Sequence, residues 1–571
     1  MAARRWDWVQ LLTAVFLHLT LPCMCQGRAE QSYSEALFMK FLADGRVSAT
    51  FDFSTVWSVH PLLFSNPGNV QHYGIFPKSL AEVVAHYHVQ ELHLTLTQGQ
   101  WRTRVWGYPA HPAPPGAELW AWFLPEADSE KEWPGLVDAM SGLLGAHLNA
   151  IDSASSFQPL VSFRPNGAIL SKDMSNSSAL LRYAALPRET VCTENFTPWT
   201  KLLPCGTAAG LGELFEAESL YDCDYHSLGL HFTPHCLDDG CGQVGVRLSL
   251  TLTVVFPPPV TSNPSILEWS LKSLFHRPLT SACPLAFSST VTVETNSIDG
   301  VQVSLSQTPS LTGTVEVAGR RRDRAVFDLH SLTNSTTSKP LPPLSVSSSS
   351  WAYHIMPEQP ELLVSRHLVG SGHDWGGLAT EITNSAPHTV EVLYLEMVPW
   401  FFRLYLHTLS VSQATVLSQH YVPAKDRRRA HMLELRLSLP PLSTSYLSLQ
   451  FRRAHLKWTE HKPDAHHGFY INSAVITTVL SECPNCTSLA AQDQDLAVLR
   501  LYSEPLLVSL PTPDFSMPYN VICFVCTVIA IAFGSVFNLT TRTLQPAAAA
   551  KEKLLTRILR RIGVLSKQKS D

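Results

Sequence analysis

The residues able to do chemistry gather at few places in this chain of 571 residues. His373 and Asp374 are adjacent, and Asp464, His466 and His467 lie close together; both sets have the residue types of an acid–base pair. With 24 histidines such neighbours arise by chance, so neither set is assigned catalysis. The sequence holds no HExxH, GxSxG, P-loop or GxGxxG pattern, which favours a structural or binding subunit over an enzyme. Cys192 has the side chain of a nucleophile, but in an oxidising compartment a disulfide is the default fate of its thiol. Cys483-x-x-Cys486 is half of a zinc pattern; with no second CxxC or paired histidine, no metal and no cofactor is expected. Finally, Asp514, Ser516 and Asn520 offer a carboxylate, a hydroxyl and an amide within seven residues, on a backbone restricted by Pro511, Pro513 and Pro518. Asp514 or Ser516 can equally cap a helix that starts there.

That last group sits at the edge of an apolar run. Residues 517–541 carry no charge, and about 20 such residues span a bilayer core as a helix. The tail, 542–571, holds eight Lys or Arg against Glu552 and Asp571, so it is expected on the cytoplasmic side. In that tail Leu554, Leu555, Ile558, Leu559, Ile562 and Leu565 recur at helical spacing with arginines between them. At the other end, Arg4 and Arg5 precede an apolar stretch and small residues, the build of a signal peptide over 1–25. The expected topology is single-pass type I, with the bulk of the chain lumenal. The net charge is −5 although the tail is basic, so the body is acidic, which argues against nucleic acid as a partner. Sequons mark Asn176 and Asn334 as glycan acceptors. Asn195 and Asn485 rank behind them, because Pro198 stiffens one loop and a disulfide through Cys486 competes at the other.

The body reads as sheet. Val246, Leu248, Leu250, Leu252, Val254 and Phe256 alternate with polar residues, and the same period of two runs through ELHLTLTQ, HMLELRLSLP and SYLSLQF. VEVLYLEMVPWFFRLYLHTL reads as a strand pair bent at Pro399. Helical spacing is confined to Ser79–His88 and Lys131–Ile151. The fold class is therefore mainly β with a mixed α/β N-terminal part: β-sandwich-type lumenal domains and one C-terminal transmembrane helix. The expected division is a first lumenal domain over 26–310 and a Ser/Pro-rich loop or linker over 311–350. A second β domain over 351–510 and a membrane-proximal segment over 511–516 follow. RRRDR at 320–324 is expected as a solvated loop.

Several long, Trp-rich strings together resemble one family, the PIG-T subunits of glycosylphosphatidylinositol (GPI) transamidase. They are TLTQGQWRTRVWG, GAELWAWF, LPRETVCTENFTPWTKLLPC, VPWFFRLYLHTL, LKWTEH, HGFY and RLYSEPLLVSLPTPDFSMPYNVIC, covering nearly the whole chain beyond residue 90. The resemblance implies a non-catalytic subunit of an endoplasmic reticulum complex that joins a GPI lipid to the new C-terminus of precursor proteins. It implies that Cys192, in VCTEN, forms a disulfide with a caspase-like catalytic subunit. It also implies lipid contact at Asp514, Ser516 and Asn520. Family members carry an Asn before HGFY for the same site; here that position is His466. With Cys192 committed elsewhere, seven cysteines remain in the body, and Cys223 is the candidate free thiol. The other reading is an independent type I glycoprotein, a receptor or adhesion ectodomain; co-purification in mild detergent separates the two.

Overall fold

The computed structural model describes residues 31–59, 72–166, 180–189, 191–238, 241, 243–258, 267–295, 303–317, 320–333, 344–348, 360–370, 372, 374–479, 498–514, 516–543 and 554–561. The signal-peptide expectation, His373, Asn176, Asn334, Asn485, Cys483 and Cys486 fall outside them. The chain divides into two units, one of residues 1–454 with 466–511, the other of 455–465 with 512–571.

The first unit is built on an eleven-stranded sheet. In spatial order its strands are Leu311–Val317, Arg320–Asp328, Ser288–Glu294, Gln31–Phe41, Val47–Trp57, Val244–Phe256, Tyr225–Cys236, Val89–Gln98, Gly116–Phe123, Leu181–Leu186 and Ser156–Phe157. Neighbours run antiparallel except Gln31–Phe41 beside Ser288–Glu294. The period of two decides which face is buried. Leu37, Met39, Phe51, Phe53, Leu92, Leu94, Leu248, Leu250 and Leu252 line one face with next to no exposure. Helices Lys78–His86, Ser129–Leu144 and Thr193–Thr200 cover that face with Leu80, Val84, Trp133, Leu136, Met140 and Trp199. Burying one such side chain contributes about 1.5–3 kcal/mol, so the helices are held by packing rather than by propensity.

Near the last strands of the sheet the opposite face is also apolar. Trp120, Trp122, Leu181 and Tyr183 pack there against Leu395, Met397, Met432 and Val475. These belong to a second layered body, a β-sandwich. One of its sheets orders Leu362–Val369, Trp375–Asn384, Ser443–Arg453 and Phe402–Ser412. The other orders Thr415–Val422, His431–Leu439, Val390–Val398, Val475–Val479 and Val498–Tyr502. Ile382, Leu447 and Leu449 from one sheet meet Val392, Tyr394, Leu433 and Leu435 from the other. The sandwich also buries Arg366, which bonds Glu396 and the Asn472 carbonyl at 2.7 Å, while Tyr394 Oη donates to Glu396 at 2.6 Å. An ion pair so enclosed is tolerable because each partner has further hydrogen bonds.

Two expectations are corrected here. The described residues of 311–350 are largely strand rather than linker: Leu311–Val317 and Arg320–Asp328 pair inside the eleven-stranded sheet, and Ser345–Ser348 pairs with Leu267–Ser270. RRRDR opens a strand, in which the Arg324 guanidinium lies 5.1 Å above the Phe38 ring. Charge disguised the alternation, as it does near sheet edges. VEVLYLEMVPWFFRLYLHTL does give two strands, Val390–Val398 and Phe402–Ser412, but they do not pair. Pro399 and Trp400 carry the chain from one sheet of the sandwich to the other.

The second unit holds the helix Ser516–Thr540, of 25 residues with mean hydropathy 2.3 in its most apolar window, long and apolar enough to cross a membrane. It also holds a short turn at Trp458–Glu460 and the tail helix Leu554–Arg561.

Candidate functional site

Cys192 is set at the start of the helix Thr193–Thr200 with extended backbone, φ −139° and ψ 177°. Asn195 fixes it there. The Asn195 Oδ1 accepts the Cys192 N–H at 2.8 Å and lies 3.4 Å from its Sγ, while Nδ2 donates to the Leu144 carbonyl at 3.2 Å. This is an N-terminal cap supplied from inside the helix, and it satisfies an otherwise orphaned donor. The thiol itself is half-buried and free. The Asn195 side chain is 1% exposed and bonded at both ends. A glycan there would need the amide nitrogen in solvent, so the folded chain offers no room for one, and the Asn195 sequon is corrected accordingly. Trp199 fills the core and donates its Nε1–H to the Gly229 carbonyl at 3.0 Å.

The other cysteines narrow the choice. Cys205 bonds Cys283, and Cys236 bonds Cys241. Cys223 is free, as expected, but its Sγ donates to the Leu220 carbonyl at 2.6 Å and lies 3.4 Å from His226 Nδ1. Burial pushes that thiol up to about 12, which leaves it protonated and unreactive. Among the described residues of the first unit, Cys192 and Cys223 are thus the two free thiols, and Cys223 is chemically quiet.

His466 is exposed and lies two residues before Gly468, whose φ is +88°. A Cβ on Gly468 would lie 2.7 Å from the Val508 carbonyl oxygen, because Phe469–Ile471 pairs with Leu506–Val508. The Phe469 ring sits 4.9 Å from Phe401. HGFY, VPWFF and SEPLLV therefore assemble into one packed corner with His466 at its end. Asp464 is exposed, and the His467 ring lies 5.8 Å from that of Tyr470.

In the second unit, Asp514 Oδ1 accepts the Ser516 N–H at 2.9 Å, at the first residue of the membrane-length helix. Hydrogen bonds from the Ser516 backbone and side chain hold the Asp514 carboxyl below the usual carboxylate range. Ser516 and Asn520 are one turn apart and share a helix face. All three residues are exposed. The capping role is visible; the carboxylate has a second oxygen for a ligand donor.

Two buried polar groups escaped the reading of the sequence. Glu118 accepts from Tyr183 Oη and from Tyr502 Oη, each at 2.8 Å, and so joins the large sheet to the sandwich. Burial raises its carboxyl to about 6. Glu91, His93 and His231 form a second row, with His93 Nε2 2.7 Å from Glu91 and its Nδ1 3.0 Å from His231 Nδ1. Burial pushes both imidazoles down. The signal was present in ELHL, whose alternation sets Glu91 and His93 on the face opposite Leu92 and Leu94. Among the described residues no group of three or more His, Cys, Asp or Glu is arranged to hold a metal.

A β-rich body followed by one apolar helix of membrane length is the build of a single-helix membrane protein. Comparison supplies the family. The family described as "Gpi16 subunit, GPI transamidase component" matches residues 16–267 and 258–566. The GPI-anchor transamidase component PIGT of Mus musculus is 41% identical over 94% of this chain and 95% of its own length. Its Homo sapiens counterpart is 40% identical over 93% and 94%. The GPI transamidase component GPI16 of Saccharomyces cerevisiae is 28% identical over 89% and 88%. The chain belongs to the Gpi16 family and is a GPI transamidase component. Among solved structures, an exo-β-N-acetylglucosaminidase from Vibrio harveyi overlaps 27% of the chain at a TM-score of 0.16, too little to carry an argument.

Proposed function

We propose that this chain is a non-catalytic subunit of the GPI transamidase complex of the endoplasmic reticulum membrane, type I, with its body in the lumen. It holds the caspase-like catalytic subunit, in part through a disulfide from Cys192. It also helps to position the GPI lipid for transfer to the C-terminus of precursor proteins. The observation that carries this reading is the Cys192 thiol: free, half-buried, and fixed at a helix start by Asn195, while the only other free thiol described in the first unit is quiet.

The lipid role rests on Asp514, Ser516 and Asn520. An acidic oxygen beside two neutral polar groups suits an ethanolamine ammonium next to sugar hydroxyls or phosphate. Their place at the start of the apolar helix puts them at head-group height once that helix spans. His466 is included as a weaker hydrogen-bonding partner. Asn176, Asn334 and Asn485 remain the proposed glycan acceptors. Co-purification from mild detergent tests the assignment: a stoichiometric set of membrane partners that includes the catalytic subunit supports it. A lone monomer would instead favour an independent surface glycoprotein.

A further inference from the structure

The tail helix Leu554–Arg561 has no part in the function proposed above, and its composition is sharply divided. At about 100° per residue, Leu554, Ile558, Leu555 and Leu559 fall within an arc of about 140°. By the same spacing Arg557 and Arg560 take positions outside that arc, Arg561 falls at its edge about 20° from Leu554, and no acidic residue interrupts the helix. Leu554, Leu555 and Ile558 are 76%, 70% and 45% exposed. A stripe of that kind on an eight-residue helix does not stay in water, since a helix this short has no stability of its own there. Its occupant must therefore supply an apolar surface and negative charge together.

Chain length identifies the occupant. Leu554 follows Thr540, the end of the membrane-length helix, by 14 residues. Fully extended, those residues reach about 50 Å, so the tail helix is tethered within that distance of the bilayer surface. Lys551, Lys553, Lys567 and Lys569 flank it on both sides. We infer that Leu554–Arg561 lies in the anionic leaflet through which its own span emerges, leucines and Ile558 among the acyl chains and arginines at the phosphates. The inference rests on the reading of Ser516–Thr540 as a span.

The test uses the full chain in nanodiscs of phosphatidylcholine alone and of phosphatidylcholine with phosphatidylserine, read by amide hydrogen exchange. In the anionic discs the amides of residues 554–561 exchange at least about tenfold more slowly than in the neutral ones. Replacing Leu555→Glu together with Ile558→Glu removes that protection; Arg560→Gln with Arg561→Gln reduces it to the level of neutral discs. Fast exchange in both discs, with residues 521–536 protected, overturns the inference and leaves the span intact. Fast exchange at 521–536 as well overturns the span and the inference with it. Protection that appears only after the other subunits bind makes the occupant a protein and overturns the lipid assignment.

Discussion

Asp514 shows how one side chain can serve two roles that a substitution separates. Its Oδ1 already bonds the Ser516 N–H, and an Asn would make the same bond. Only the charge is specific to a cationic ligand. The lipid reading predicts that Asp514→Asn lowers surface display of GPI-linked reporters while subunits still co-purify. A lost charged hydrogen bond contributes about 1.5–3 kcal/mol, or about 10- to 100-fold in lipid affinity. Full display from Asp514→Asn would leave capping as the residue's whole role. Asn195 yields a second prediction. Thr197 is exposed and completes the sequon without touching the cap, so Thr197→Ala should leave the glycosylated mass unchanged on an endoglycosidase gel. A drop of one glycan would mean that Asn195 is modified before this helix folds.

At the scale of the elements, Gly468 gives the clearest test. Its φ of +88° and the nearby Val508 carbonyl leave no place for a Cβ. Gly468→Ala should destabilise the body by about 1–3 kcal/mol and lower the yield of folded protein, measured by thermal unfolding. An unchanged Tm would show that the corner between Phe469–Ile471 and Leu506–Val508 is not held as described. The same scale shows how far the sequence could be read. Strands of strict alternation, such as Val244–Phe256 and His431–Leu439, were legible because one face is wholly apolar. So were the helices Lys78–His86 and Ser129–Leu144, and the apolar helix beginning at Ser516. Arg320–Asp328 was not, because its run of charged residues hides the alternation and pairing with Leu311–Val317 and Ser288–Glu294 makes it a strand. The partners of Val390–Val398 and Phe402–Ser412 were hidden for a related reason: a local pattern marks strands, whereas sheet membership depends on residues far along the chain. The candidate site followed the same division. Cys192 and Asp514 stood out by type and position, but the Asn195 cap and the burial of Trp199 depend on Leu144 and Gly229, distant in sequence.

Across the whole of the first unit, the large sheet and the sandwich meet at Glu118. Its carboxyl is raised from 4.5 to about 6 because burial disfavours the charge. A raised acid binds its proton more tightly in the folded state, so it opposes folding once ionised. The contribution to stability is fullest below pH 4.5 and is lost as pH rises to about 6, by about 2 kcal/mol. Glu118→Gln, which stays neutral, should flatten that step in denaturant titrations run across this window. A step of the same size in the variant would assign it to another group. The account as a whole depends on one covalent link, and a non-reducing gel of the assembled complex tests it most directly. Wild-type chain and Cys223→Ser should both give a heterodimer band with the catalytic subunit that collapses on reduction. Cys192→Ser should lose that band while keeping part of its activity through non-covalent contacts. A reducible heterodimer band that persists in Cys192→Ser would contradict the account.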